Sequence, residues 1–146
     1  MERLFRAFWY LTVLIVFFGL MYSFASLPEL VQYLEGQASI SSDLYFYVTL
    51  GVIALSNFAL YVLAQKFTTE DTDLTLTNKL QSWLYALNSS LNLFYFVALM
   101  FVMMHNSSEK WNFELLGYGL YISIGIVFLC VLSLPVLMFT GKGGED

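Results

Sequence analysis

Apolar residues fill four runs of this chain, near 4–24, 44–65, 80–104 and 113–139, with polar clusters between them. At about 1.5 Å of rise per residue, each run can cross about 30 Å of hydrocarbon as an α-helix. None carries Asp, Glu, Lys or Arg in its central part. Arg6 and Glu114 lie at run ends, where a charged tip reaches the headgroups. The expected fold is all-α: a single integral-membrane domain over residues 1–146, built as a four-helix transmembrane bundle of up-down-up-down connectivity.

The polar residues inside the runs are ordered too. In the third run Gln81, Tyr85, Asn88, Asn92 and Tyr95 recur at alternating steps of four and three, which is one helical stripe. In the second run Asn57, Tyr61 and Gln65 recur at steps of four. A short connection makes these two runs antiparallel neighbours. At matched depth Gln65 then meets Gln81, Tyr61 meets Tyr85, and Asn57 meets Asn88 or Ser89. An amide alone in hydrocarbon costs several kcal/mol, so it seeks a partner. The expectation is a hydrogen bond from Asn57 to Asn88 or Asn92. Each such bond contributes roughly 0.6–2 kcal/mol, enough to select register and face. Thr12 and Ser133 lie at a similar depth in the outer two runs. The polar belt is either glue between helices or the lining of a small hydrated cavity. Glue is favoured, because uncharged polar residues in membranes usually serve packing.

Other positions carry local signals. Ser26, Pro28 and Glu29 have the spacing of a helix start, and Leu27, Leu30, Val31 and Leu34 form an apolar stripe ending near Gly36. A short amphipathic helix is therefore expected in the first loop, lying on the outer surface. The fourth run places Gly117, Gly119, Ser123 and Gly125 where close approach to a partner helix is possible, and Pro135 loosens its last turns. Trp9, Tyr45, Trp83 and Trp111 lie near run ends, as in an interfacial aromatic belt. Asn106-Ser107-Ser108 is a formal glycosylation sequon beside the membrane. Glu70, Asp71 and Asp73 cluster in the second loop without the spacing or turn glycine of a calcium loop.

Charge sets the orientation. Arg3, Arg6, Lys66, Lys79 and Lys142 fall on one side if both termini are cytoplasmic, leaving Lys110 outside. Met1–Arg6 followed by an apolar segment resembles a signal peptide, but that segment is longer than a usual signal core, so it is expected to remain as a span. The composition, 59% hydrophobic and 12% charged with net charge −5 and no basic cluster, argues against nucleic acid as a partner. The single cysteine, Cys130, and single histidine, His105, leave no pair for a disulfide, a bis-histidine haem or a histidine-rich zinc site. No cofactor is expected.

Catalytic signals are sparse. No nucleophile–base pair or nucleotide fingerprint stands in the spans, and no acidic residue supports proton-coupled transport there. The expected function is a non-enzymatic structural or accessory subunit of a larger membrane complex. It would sit in a bacterial inner membrane and contact lipid and other integral membrane proteins, or further copies of itself. The alternative is a small oligomeric channel or transporter for a neutral or polar solute. A weaker third reading is an enzyme using His105 and Glu114 at the outer face.

Overall fold

The computed structural model describes residues 2–32, 39–66, 74–107 and 113–140. They form four long helices: α1 (Glu2–Ser26), α2 (Ser42–Lys66), α3 (Leu74–His105) and α4 (Phe113–Thr140). Each is long and apolar enough to cross a membrane, as the four apolar runs imply. Two short strands, β1 (Leu30–Val31) and β2 (Ile40–Ser41), pair antiparallel between α1 and α2.

α3 is the hub. It packs against α1, α2 and α4, whereas α4 packs on α3 and on no other helix among the described residues. Contacts run in opposite numbering directions between α2 and α3: Ala64 meets Gln81, Asn57 meets Asn92, and Ser56 meets Tyr95. Between α1 and α3 they rise together, from Thr12 with Asn92 to Gly19 beside Phe96 and Met100. Gly19 permits the second approach: a Cβ there would lie 2.8 Å from the Phe96 ring.

The packing departs from that of a soluble bundle: polar and apolar side chains share the interior, and large apolar ones also cover the outside. Among the described residues the buried side chains include Thr12, Ser23, Asn57, Gln81, Asn88, Ser89, Asn92 and Ser123, while Phe18, Tyr47, Leu55, Phe58, Tyr121 and Leu129 face outward. Lipid is as apolar as a leucine core, so nothing drives apolar side chains inward, and polar ones go inside to find partners.

The first connection differs from the expected amphipathic helix. Ser26 does not open a helix; its hydroxyl donates to the Tyr22 carbonyl and closes α1. Leu30 and Val31 are extended and pair with Ser41 and Ile40. Val31 is fully buried against Val16, Leu20, Tyr45, Ile53 and Leu99, which gives the strand a single inward residue in place of a helical stripe. Leu34 and Gly36 lie outside the described residues, as do Glu70, Asp71, Asp73, Lys110 and Trp111.

Candidate functional site: a buried amide pair

The polar stripe of α3 turns toward α1 and α2 together. Asn57 and Asn92 form a reciprocal carboxamide pair: Asn57 Nδ2 donates to Asn92 Oδ1 at 2.8 Å, and Asn92 Nδ2 donates to Asn57 Oδ1 at 3.1 Å. The second hydrogen of each amide is also used. Asn57 Nδ2 donates to the Ile53 carbonyl at 2.9 Å, and Asn92 Nδ2 to Thr12 Oγ1 at 3.2 Å. Trp9 completes the set by donating its indole N–H to Asn57 Oδ1 at 2.9 Å. Thr12 in turn donates to the Trp9 carbonyl. Three helices are thus joined by one network whose amide donors are all engaged.

The bond to Asn92 is one of the two expected for Asn57; it is offset from matched main-chain depth, and the offset has a cause. Helical side chains lean toward the N-terminus of their own helix. Asn57 therefore leans away from the α2–α3 connection and Asn92 leans toward it. They meet between the main-chain levels of the two residues, whereas main-chain depth alone would pair Asn57 with Asn88 or Ser89. Asn88 is left with one long bond, Nδ2 to the Asn57 carbonyl at 3.4 Å, and its buried Oδ1 has no hydrogen-bond partner. Ser89 turns back onto the Tyr85 carbonyl.

The remaining members of the two stripes are placed differently. Gln81 donates to the Ala64 carbonyl at 3.0 Å, while Gln65 is exposed, so the two glutamine side chains do not form the expected pair. The two tyrosines share a neighbour: Tyr61 stacks on the Trp9 indole and Tyr85 tilts against it, both with ring centroids 5.5 Å away. Trp9 itself is buried, and so is Tyr45. Ser133 joins a separate junction. Trp83 donates its indole N–H to the Cys130 carbonyl at 2.8 Å and Ser133 Oγ at 3.0 Å, tying α3 to α4 one turn before Pro135.

The small residues of α4 divide between two sides. Ser123 is buried, and a Cβ on Gly119 would reach Val97 of α3 at 3.6 Å. Gly117 and Gly125 have open space where a side chain would be. Of the His105–Glu114 pair, only the His105 side chain is described, and its ring stacks on Phe101.

A groove of about 150 Å³ lies between α1 and α2. Its walls are Val13, Val16, Phe17, Leu20, Leu50, Ile53 and Ala54, with Asn57 at one end. These walls suit hydrocarbon, and Asn57 points its amide into the network. Trp9 and Gly19 escape a reading by hydropathy. Trp9 does have a trace in the sequence, because Trp9, Thr12, Val16 and Ser23 follow a heptad-like spacing. A lone glycine such as Gly19 has none. No family model, curated protein or solved structure matches this chain.

Proposed function

We propose that this chain is a non-enzymatic, multi-pass accessory subunit that packs against other integral membrane proteins. It crosses a bacterial inner membrane up-down-up-down with both termini cytoplasmic. The observation that carries this reading is the saturation of the Asn57–Asn92 network from within the chain. A conduit for a polar solute would keep such amides available to its cargo, and here they bind one another. The outward face of α4 supports an interaction role. Tyr118, Tyr121, Phe128 and Leu129 are exposed along it, and Gly117 and Gly125 leave gaps that a neighbouring helix could enter.

The test is photo-crosslinking in native membranes from probes at Tyr121 and, as control, Phe58, followed by mass measurement in mild detergent. Crosslinks to a defined second membrane protein from Tyr121, lost in Gly125→Leu, are expected. A self-oligomer that conducts a neutral solute in liposomes would replace this reading with the channel. Cysteine labelling at Thr72 checks orientation: modification from the cell exterior would reverse the assigned topology.

A further inference from the structure

Asn106 follows the last turn of α3, and its carboxamide binds both main-chain groups of a residue 74 positions away in sequence. The Gln32 N–H donates to Asn106 Oδ1 at 2.8 Å, and Asn106 Nδ2 donates back to the Gln32 carbonyl at 2.8 Å. This is the bond pattern of a neighbouring strand, supplied by a side chain. Glu29 faces β2, since its carbonyl accepts the Ser42 N–H, and strand alternation turns Gln32 to the opposite edge. Asn106 therefore occupies the edge of β1 that β2 leaves open. The other Nδ2 hydrogen goes to the Val102 carbonyl at 2.8 Å, which also accepts the Asn106 backbone N–H at 3.2 Å.

We propose that Asn106 is a latch that fastens β1 across this end of the bundle and holds Val31 in the core as a plug. Val31 closes a cluster that includes Val16, Leu20 and Ile53, and those three also wall the α1–α2 groove. Release of the latch frees Gln32 and lets Val31 withdraw from that cluster. The latch also bears on the sequon. N-glycosylation replaces one Nδ2 hydrogen with a bond to the sugar. The single hydrogen that remains cannot serve both the Gln32 and Val102 carbonyls. A glycan at Asn106 therefore costs the carboxamide one of its two Nδ2 bonds.

Maleimide labelling of Val31→Cys in a Cys130→Ala background, in membranes, reads the state of the plug. Asn106→Ala removes both latch bonds and is expected to raise the labelling rate about tenfold, the size of effect that two modest hydrogen bonds support. Ser108→Ala abolishes the sequon but keeps the Asn106 amide, and should label at the parent rate. Amide hydrogen exchange at Gln32, followed in chains that keep Val31, gives a second readout: about tenfold faster exchange in Asn106→Ala, and none of that change in Ser108→Ala. Equal effects of the two substitutions, or no effect of Asn106→Ala on either readout, would overturn the latch.

Discussion

The two ends of the α1–α2–α3 packing are held by different physics. Around Trp9, Asn57 and Asn92 the contact is a directed network in which every amide hydrogen has a named acceptor. Around Val16, Leu20, Val31 and Leu99 it is close apolar contact with no preferred direction. In water the second kind would dominate. In a bilayer the unfolded reference is already surrounded by hydrocarbon, so apolar contact gains only its packing. The polar end can therefore specify which helices meet and in what register, while the apolar end decides how closely they approach.

The largest expected effect tests that division directly. Asn92→Leu removes one partner from each Asn57 amide atom and the donor to Thr12 Oγ1, at an expected cost of about 2–3 kcal/mol in a steric-trapping or denaturation measurement in bicelles. Asn57→Leu should cost a similar amount, because it also orphans the Trp9 indole N–H. The double variant should cost clearly less than the two single losses added, since each single substitution leaves a buried amide without its partner. Additive losses would mean that the pair contributes no coupling and that the polar end is ordinary packing.

At the apolar end the corresponding position is Gly19. Gly19→Val forces new atoms against Phe96, where even the first would sit at 2.8 Å, and should cost about 1–3 kcal/mol. Gly119→Ala meets Val97 at an ordinary 3.6 Å and should change stability by less than about 0.5 kcal/mol. Two glycines that read alike in the sequence are thereby separated. If both substitutions proved neutral, the α1–α3 contact would be looser than its geometry implies.

How much of this was legible beforehand follows from what hydropathy measures. The four helices were, because span length and absence of charge are properties of one segment at a time. The polar stripes were also legible, since periodicity is local. The choice of partners was legible in part. The Asn57–Asn92 bond is one of the two expected for Asn57; depth alone does not choose between Asn88 and Asn92, because it ignores side-chain lean, and matching Gln65 to Gln81 ignores that a glutamine can reach the Ala64 carbonyl instead. A tryptophan near a helix end reads as an interfacial residue, and nothing in hydropathy shows that its indole N–H finds a buried acceptor on α2. The first loop reads as a helix by capping residues and stripe. Pairing with β2 and the distant Asn106 overrode that local preference.

The smallest predicted effect is the sharpest for the amides. Asn88 and Asn92 stand one turn apart on the same stripe and are indistinguishable by composition or spacing. Asn92 engages three side chains or side-chain atoms on two helices, whereas Asn88 has one bond at 3.4 Å and a carbonyl oxygen with no partner. A buried polar group that is poorly paired is already paying its desolvation cost in the folded chain. Replacing it with an apolar side chain of similar shape removes that cost. Asn88→Leu should therefore lie within about 0.5 kcal/mol of the parent, or be slightly stabilising. The same measurement that finds Asn92→Leu damaging should find Asn88→Leu silent. A loss at Asn88 as large as that at Asn92 would show that its oxygen has a partner essential to the fold, and that the polar network extends further along α3 than the amide pair.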